Sequence, residues 1–506
     1  MDTASQSLGK IIRRPTLWLV VILFLGTLLR LYDITDEPLE LHPTRQFRAL
    51  IISRALYYPT TDQIPAEHLD FAEQQAAIVG FIEPSILEFL TAQLYRLAGQ
   101  EITWLGRVIP ITAWVLGGLA LYSLARQLGS TLGAFLSVTY YLFLPLGVSF
   151  SRVLIVDPIM VAMSVISLWA LFTWQQRRDF KFALLTGLLT GLTILLKSVA
   201  GIILIIPFAL FILSAEPVKS AIKNRQIWLI LLLAALPSAL YYYYGIVIDG
   251  RLAAQFKGRF FPEIWADLIF YKSWGLRIIR EFNIFAFAAG LMGIYYAKSK
   301  PARRILFGWW AGYFIYAILF AYHTWTHDYY HLPMVPLLAV SIAPTAAFLE
   351  QKIAGSKFKT VGLTALVLLF LGIITAGSFQ TIQFLSNTDH RHTRMELESL
   401  GKIIKDLPEG RIIGLSDDYE TSFTFYNFLR AEHWPTLGDM NFRELQGGEE
   451  QAFEQLWQIT EDAAYFVVSD FAQLEKQPIL EQRLSGFPIL YESDSIRLYT
   501  IGMPSP

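Results

Sequence analysis

The sequence predicts an α-helical polytopic membrane protein, with about eleven spanning helices and a C-terminal α/β domain. Of the 506 residues, 54% are hydrophobic and only 16% are charged, and the mean hydropathy is +0.43. Soluble proteins carry roughly 25% charged residues. The apolar residues also fall into blocks long enough to cross a bilayer. These observations exclude an ordinary soluble enzyme.

Basic residues in alternate connections predict how the spans are oriented. Arg177 and Arg178 lie in one such connection, and Lys298 and Lys300 lie in another. Because Lys and Arg mark cytoplasmic loops, we expect a multi-pass protein of the plasma (inner) membrane with a cytoplasmic N-terminus. The remaining loops and the C-terminal domain are then extracytoplasmic. The predicted spans are residues 15–33, 104–125, 131–150, 157–175, 181–197, 199–215, 227–248, 282–297, 304–322, 332–350 and 360–379.

Two domains are predicted along the chain. Residues 1–382 form a membrane module that includes the first outer loop, residues 34–103, and residues 383–506 form the α/β domain. Short apolar runs and periodic segments indicate the elements of that domain. They are strands at Arg411–Ser416 and Ala464–Ser469, helices at Glu420–Arg430 and Leu474–Leu484, and a final strand or hairpin at Pro488–Tyr499.

The first outer loop carries a cluster of polar residues before a short helix. His42 opens the segment 42–58, which is predicted as an amphipathic helix on the membrane surface. Asp36 and Glu40 precede it, and Arg45 lies in its first turn. Such a set suits a general base beside a phosphate held by arginine. An interfacial anchor with snorkelling arginines is the alternative.

Two acidic residues lie where the chain enters apolar segments. Glu83 precedes Pro84, and Asp157 precedes Pro158 at the start of the fourth span. Carboxylates at such positions need a partner or a function. Helix capping is the alternative for both, and Arg152 is an alternative partner for Asp157.

A histidine-rich segment, Tyr322–His331, lies between two late spans. His327 and His331 are four residues apart, so in a helical turn they share a face and are candidate metal ligands, as is Glu83. A structural hydrogen-bonding role is the alternative. The chain has no cysteine, which excludes disulfides and thiolate metal sites. The sequence requires no cofactor and leaves a divalent metal ion open.

The outer loop 249–281 has an excess of basic residues. Arginine is well shaped to hold a phosphate, so Lys257 and Arg259 are candidate phosphate ligands. A solvated surface that binds lipid headgroups is the alternative.

These segments, taken in order, resemble glycosyltransferases of the GT-C superfamily, of the protein O-mannosyltransferase and aminoarabinose transferase type (family 39-like). The resemblance covers about residues 10–350. The segments that carry it are residues 42–58, Glu83-Pro84, Arg107, Ser151-Arg152 with Asp157-Pro158, Gly191–Lys197 and Tyr329–Pro336.

The resemblance implies an inverting transfer of a sugar from a polyprenyl-phosphate donor to an acceptor hydroxyl of a lipid, glycan or protein. It places a catalytic carboxylate in the first outer loop, where this chain has a His-x-x-Arg-Gln variant starting at His42. His42, Glu40 and Asp36 are therefore all candidate bases, beside Asp157 and Glu83. The expected contacts of the donor phosphate or lipid are Arg45, Arg48, Lys197, Lys257, Arg259, His327, Tyr330 and His331.

Two other classes of protein are left as alternatives. One is a transporter or flippase of lipid-linked sugars, and the other is a non-catalytic scaffold for membrane assembly. In each case the lipid bilayer is a partner and no nucleic acid is expected.

Overall fold

The computed structural model describes residues 14–80, 82–253, 260–449 and 451–502. Helices dominate this part of the chain. They are α1 (Pro15–Leu31), α2 (Pro43–Tyr57), α3 (Ala66–Val79), α4 (Ile86–Ala98), α5 (Val108–Leu128), α6 (Thr131–Phe143), α7 (Pro145–Phe150), α8 (Asp157–Arg177), α9 (Phe180–Leu196), α10 (Val199–Ala215), α11 (Val218–Ala221), α12 (Arg225–Tyr243), α13 (Leu268–Phe282), α14 (Ile284–Tyr296), α15 (Lys300–Leu319), α16 (Ala321–Thr326), α17 (Met334–Ala354), α18 (Lys359–Ser386), α19 (Arg391–Lys405), α20 (Thr421–Asn427), α21 (Leu437–Leu445), α22 (Phe453–Trp457), α23 (Phe471–Glu475) and α24 (Pro478–Leu484). Short 3-10 segments lie at Tyr58–Thr60, Thr103–Arg107, Pro262–Ala266, Asp328–His331 and Gln458–Thr460, and a π-helical turn lies at Tyr244–Ile248.

Each predicted span corresponds to one helix or to consecutive helical segments. Within the described residues, five helical stretches have the length and apolar composition to cross a membrane, and the bent pair α13–α14 adds a sixth if it counts as one span. Four further apolar helices among the described residues, α1, α6, α9 and α10, are shorter. The number of eleven spans therefore stays a prediction. The five stretches are Thr103–Leu128, Asp157–Arg177, Arg225–Ile248, Asp328–Ala354 and Lys359–Lys405.

The chain divides into two compact units. The first unit comprises residues 1–34, 81–86 and 107–386, and the second comprises residues 35–80, 87–106 and 387–506. This division differs from the predicted boundary at residue 382, because most of the first outer loop groups with the C-terminal segment. The reason is physical: buried charged residues of that loop take their hydrogen-bonding partners from residues 390–426.

Helices of the first unit approach each other closely at glycines. A Cβ atom at Gly191 of α9 would overlap the carbonyl oxygen of Leu233 in α12, and one at Gly312 of α15 would overlap that of Ile203 in α10. Small residues permit such close contact between membrane helices, whose association depends on van der Waals packing. The contact at Gly191 fixes the end of α9, where Lys197 lies.

A five-stranded sheet forms the core of the C-terminal part of the second unit. The strands are β1 (Arg411–Leu415), β2 (Ala431–His433), β3 (Ala463–Val468), β4 (Ile489–Glu492) and β5 (Arg497–Thr500). They lie in the order β2-β1-β3-β5-β4, with β1 parallel to β2 and β3, and β5 antiparallel to β3 and β4. The predicted strands at 411–416 and 464–469 are confirmed as β1 and β3, each within one residue.

The central strands β1 and β3 of this sheet are buried on both faces. Ile413 and Phe466 pack into one hydrophobic core, and Ile412 and Val467 pack into another. Because successive residues of a strand point to opposite faces, a strand covered on both faces is apolar throughout. This explains why β1 and β3 are continuous apolar runs in the sequence.

The helix of the first outer loop is present but is not amphipathic as predicted. It spans Pro43–Tyr57, and every residue from Ala49 to Arg54 is buried. Phe47 packs against Phe425 and Tyr426 of the same unit. A helix on a membrane surface keeps one polar face exposed. The prediction of an amphipathic helix on the membrane surface is therefore wrong, because the C-terminal segment covers this helix.

Candidate active site

A buried ion pair joins two helix junctions of the first unit. Asp157 is the first residue of α8, and Lys197 directly follows α9. Nζ of Lys197 donates to Oδ1 of Asp157 over 2.7 Å, and the two side chains are only 7% and 8% exposed. The N-cap residue of α8 is Val156, so Asp157 lies one residue inside the helix, and its carboxylate accepts from Lys197. This arrangement disfavours the capping alternative for Asp157.

Two tyrosines adjoin the ammonium of Lys197. Its Nζ lies 5.1 Å from the ring centroid of Tyr329 and 5.4 Å from that of Tyr330. A cation at this distance is attracted to the face of an aromatic ring. The rings of Tyr316 and His323 in turn stack on Tyr330. The structure thus brings the two predicted residues Lys197 and Tyr330 together.

Glu83 belongs to the same unit and is half-buried. It lies close enough to Lys197 to interact with its ammonium electrostatically. The ammonium of Lys197 therefore pairs with one predicted acidic residue, Asp157, and interacts electrostatically with a second, Glu83. Carboxylates and an ammonium in a partly buried cluster are the groups that proton transfer and substrate orientation need.

The predicted histidine pair does not share a helical turn. Helix α16 ends at Thr326, and His327 is extended, with φ −122° and ψ 121°, before the 3-10 segment that holds His331. The buried His331 places Nε2 2.9 Å from the carbonyl oxygen of Thr324 and Nδ1 3.3 Å from the hydroxyl of Tyr313. Since a carbonyl only accepts, Nε2 carries the proton and Nδ1 accepts. These contacts favour the structural alternative for His331.

No cluster of three or more His, Asp or Glu residues suited to a metal ion occurs in the part of the chain that the structure describes. Of the three predicted metal ligands, His331 has both ring nitrogens engaged, and Nδ1 of His327 lies 2.7 Å from the hydroxyl of Thr326. Glu83 interacts electrostatically with Lys197. The described residues thus do not bring these three side chains into one metal-binding group, and a metal site stays a prediction.

Cations of the basic outer loop pair with acidic residues of the same loop and of the histidine-rich segment. Arg277 of α13 pairs with Asp328, next to His327. Lys257 and Arg259, the two predicted phosphate ligands, lie outside the described residues. Two further pairs are Arg251 with Asp249 and Arg280 with Glu281.

Arg107 and Arg152, which belong to the segments that carry the family resemblance, hydrogen-bond to the backbone just after α1. Nη2 of Arg152 donates to the carbonyl oxygen of Asp33 over 2.7 Å, and Nη1 of Arg107 donates to that of Ile34 over 3.0 Å. Both guanidinium groups are almost fully buried. They fix the last residues of the first unit before the outer loop begins.

In the second unit, the acidic residues before α2 are buried and hydrogen-bonded. Oδ1 of Asp36 accepts from the backbone N–H of His390 over 3.0 Å. Glu37 accepts from Arg394 and from the hydroxyl of Tyr426, each over 2.7 Å. One oxygen of Asp36, a candidate base, is therefore already engaged.

The loop before α2 holds His42 in an uncommon backbone conformation. His42 is the N-cap residue of α2 and has φ +60°. A positive φ is uncommon for a residue other than glycine and persists where the surroundings impose it. The buried amide of Gln46 holds the backbone just before His42, because Nε2 donates to the carbonyl oxygens of Glu40 and Pro38 over 2.7 and 3.2 Å. The side chain of Glu40 is buried beside this loop.

The two arginines in the first half of α2 differ in their contacts. Arg48 donates to the carbonyl oxygens of Val79 and Gly80 over 3.2 and 2.7 Å, where a cation stabilises the C-terminal end of α3. This contact favours a structural role for Arg48 over the predicted phosphate contact. Arg45 is half-buried in the first turn of α2, and its predicted role stays a proposal.

The sequence did not indicate the contacts of several polar residues in both units. Tyr329 and His323 lie in the histidine-rich segment, but their positions beside Lys197 and Tyr330 were not predicted. Glu101, whose carboxylate pairs with Arg54 at 3.0 Å, was not singled out. Arg54 gave a usable signal, because an arginine among buried apolar residues requires a carboxylate partner. The sequence does not indicate which carboxylate that is.

The sequence model of the family described as dolichyl-phosphate-mannose-protein mannosyltransferase matches residues 83–243, which include Glu83, Asp157 and Lys197. No curated protein matches the sequence.

Solved structures show the fold. ArnT from Cupriavidus metallidurans, bound to undecaprenyl phosphate, is 14% identical with a TM-score of 0.61, over 96% of this chain and 98% of that one. The oligosaccharyltransferase of Archaeoglobus fulgidus, in complex with Zn and sulfate, is 14% identical with a TM-score of 0.54, over 89% and 67%. The arabinofuranosyltransferase AftD from Mycobacteria is 14% identical with a TM-score of 0.52, over 96% and 41%. The chain is thus a membrane protein with the GT-C fold, and the predicted resemblance is confirmed.

Proposed function

We propose that this protein is a membrane glycosyltransferase that uses a polyprenyl-phosphate-linked sugar. The acceptor is a hydroxyl group on the extracytoplasmic side of the plasma (inner) membrane. The observation that carries this proposal is the buried Asp157–Lys197 pair, which lies beside Tyr329 and Tyr330 and within electrostatic range of Glu83. The undecaprenyl phosphate bound to ArnT, which shares the fold, supports a donor of this class.

The reaction is a single displacement with inversion. A base takes the proton of the acceptor hydroxyl, and the acceptor oxygen forms a bond to the anomeric carbon. The bond from that carbon to the phosphate oxygen breaks, and polyprenyl phosphate leaves with the electron pair. Because the phosphate is a good leaving group, no covalent enzyme intermediate is needed.

We assign Lys197 to the developing charge on the phosphate, because a buried ammonium stabilises an anion far more than an exposed one does. Asp157 holds that ammonium in place over 2.7 Å. Its Nζ also lies 5.1 Å from the ring centroid of Tyr329 and 5.4 Å from that of Tyr330. Glu83 and Asp157 are the candidate bases of the first unit, and His42, Glu40 and Asp36 are those of the second.

The test is release of polyprenyl phosphate by the purified full-length protein. Reconstituted protein is incubated with an undecaprenyl-phosphate-linked sugar and a mixture of cell-envelope acceptors, and undecaprenyl phosphate is measured by mass spectrometry. We expect release that depends on an acceptor and is lost in Asp157→Asn. Movement of intact donor between leaflets without release would instead show a transporter or flippase. If the protein neither releases polyprenyl phosphate nor moves the donor, the result would favour a scaffold.

A further inference from the structure

The second unit contains a cavity of about 490 Å³. Four separate stretches of the chain line it: the residues before α2, the end of α2, the segment after α4, and the region from α19 to α20. Its volume falls within the roughly 300–1,000 Å³ typical of small-molecule sites. None of the reaction steps above uses this cavity.

One wall of the cavity is a fixed arginine–carboxylate network. Nε of Arg54 donates to both carboxylate oxygens of Glu101 over 3.0 and 3.1 Å, and the hydroxyl of Tyr58 donates to Oε2 over 2.8 Å. The guanidinium also donates to the carbonyl oxygen of Phe425 over 2.6 Å and lies 3.6 Å from the centre of its ring. Burial, the largest influence, raises the pKa of Tyr58, so its hydroxyl remains a proton donor at neutral pH.

The other wall repeats this chemistry. Arg394 donates to Glu37 over 2.7 Å and to Glu398 over 2.8 Å. The hydroxyl of Tyr426 donates to the second oxygen of Glu37, and the guanidinium of Arg394 lies 5.2 Å from the centre of the Tyr426 ring. Donors and acceptors on both walls are thus held in place before any ligand arrives, which lowers the cost of binding.

The cavity combines these polar groups with flat aromatic faces. Trp104, Tyr426 and Phe428 line it and are each half-buried. An ionised carboxylate has about four lone-pair sites, so Glu101 and Glu398 retain acceptor capacity beyond their arginine partners. Fixed carboxylate acceptors beside flat apolar faces suit a ring that carries hydroxyl groups on its rim and C–H groups on its faces.

We propose that this cavity binds a neutral sugar unit of the acceptor. The role of that sugar as acceptor rests on the proposed function, whereas the binding itself does not. Three glutamates oppose two arginines in the lining, so the cavity does not favour a phosphate or another anion. The sugar comes from a free oligosaccharide or from the headgroup of a glycolipid, since both present the same chemistry.

The first test measures binding by the full-length protein in nanodiscs. The probes are maltose, cellobiose and mannobiose, with inorganic phosphate as the anionic comparison and vesicles containing monoglucosyl diacylglycerol as the glycolipid arm. We expect a neutral disaccharide or the glycolipid vesicle to bind and phosphate not to compete. Binding of the disaccharides identifies a free sugar as sufficient, and binding of the vesicles alone identifies a glycolipid headgroup. If no neutral sugar binds in either arm, or if phosphate displaces it, the proposal is wrong.

The second test places the sugar in this cavity. Trp104→Ala removes an aromatic face of the cavity, and Glu398→Gln weakens one of its acceptors. We expect Trp104→Ala to raise the Kd for the neutral sugar at least about tenfold. Trp104→Phe keeps a flat ring and should recover part of the affinity, which a folding defect would not allow. The controls are Trp228→Ala, 56% exposed and outside the cavity, and Glu454→Gln, whose side chain is 74% exposed. Equal affinity in Trp104→Ala and in the controls overturns the assignment.

The two proposals fail separately. Sugar binding that depends on Trp104, in a protein that releases no polyprenyl phosphate, would remove the transferase and keep the cavity as a sugar site. Release with an unchanged KM for the acceptor in Trp104→Ala would keep the transferase and remove the cavity from acceptor binding.

Discussion

At the scale of single residues, the question is whether the Asp157–Lys197 pair stabilises the fold, takes part in catalysis, or does both. Removing one partner of a buried ion pair costs about 3–5 kcal/mol, because the other charge stays buried without compensation. We expect Asp157→Asn to lower the melting temperature of the purified protein and to reduce kcat at least about 100-fold. Melting in detergent and the release assay measure the two effects.

The double variant Asp157→Asn/Lys197→Met separates these effects. Removal of both charges should recover most of the lost thermal stability, since replacing a whole buried pair is often nearly neutral. Activity should stay low. If the double variant is as active as the unmodified protein, the pair serves folding alone, and our assignment of Lys197 to the donor phosphate is wrong.

The identity of the base is a second question at this scale. A histidine ordinarily titrates near pH 6.5, whereas a carboxylate ordinarily ionises near pH 4. If His42 is the base, His42→Gln should lose at least about 100-fold in kcat with donor binding retained. The rate should also fall as the pH drops through the histidine range.

The matched comparison is with Glu40→Gln and Asp36→Asn, measured in the same release assay. An active His42→Gln beside an inactive carboxylate variant would move the role of base to that carboxylate. The positive φ of His42, +60°, makes His42→Asn a useful conformational control, because asparagine tolerates the left-handed region.

The pairing of Asp157 with Lys197 was accessible from the sequence, whereas the contacts of Asp36 and Glu37 were not. Asp157 and Lys197 lie at the outer ends of two consecutive predicted spans, which antiparallel packing brings to the same side. The partners of Asp36 and Glu37 are more than 350 residues away along the chain. No local pattern specifies contacts over that separation.

At the scale of elements, close packing of α9 on α12 is the feature that positions Lys197. Because a Cβ at Gly191 would overlap the backbone of Leu233, Gly191→Val should push the two helices apart. We expect a fall of several degrees in melting temperature and a loss of activity through displacement of Lys197. The matched control is Gly275→Ala in α13, where a Cβ meets nothing within 4 Å. A normal melting temperature in Gly191→Val would contradict this packing.

The sheet of the second unit carries a pH-sensitive group. His433 in β2 contacts Glu420 at 2.9 Å and Asp439 at 3.1 Å. Burial lowers the pKa of His433, but these hydrogen bonds outweigh it and raise that pKa to about 9. Burial raises the pKa of Glu420 to about 7. Both groups therefore hold their protons more tightly in the folded state than in the unfolded state.

The direction of the pH effect follows from linkage. The stability that protonated His433 adds is fully present below about pH 6.5 and is lost as the pH rises towards 9. The stability that protonated Glu420 adds is lost as the pH rises from about 4.5 to about 7. We expect the unfolding free energy of the sheet to fall by about 2–3 kcal/mol between pH 6.5 and 9.5. Hydrogen exchange of β1 and β3 amides, corrected for intrinsic rates, measures it. His433→Gln should flatten this dependence, whereas the exposed His392→Gln should not.

Elements with one strong pattern were predictable from the sequence. The apolar runs of β1 and β3 are buried on both faces, and the sequence indicates them within one residue. The short strand β2, Ala431–His433, is polar and partly exposed, so it carries no alternating or continuous apolar signal. Helix α2 was placed correctly, but its burial depends on the C-terminal segment, which a local pattern does not reveal.

At the scale of the whole molecule, the division into units changes what a truncation should do. A boundary near residue 382 would make the C-terminal segment separable, and its removal would then spare donor binding. In the structure, however, that segment provides the partners of the buried Asp36, Glu37 and Arg54 in the first outer loop. Removing it leaves Asp36 and Glu37 without these partners, whereas Arg54 keeps its pair with Glu101 and loses its hydrogen bond to Phe425.

We therefore expect deletion of residues 387–506 to unfold the first outer loop as well. Each buried charge left without its partner costs about 3–5 kcal/mol, which is comparable to the stability of a small domain. Limited proteolysis followed by mass spectrometry should detect new cleavage within residues 35–80 of the truncated protein, while α8 to α10 stay protected. The matched control is Tyr426→Phe, which removes only one hydrogen bond to Glu37 and should leave the loop resistant. A truncated protein whose first outer loop resists proteolysis as well as the full chain does would show that this loop folds with the first unit instead.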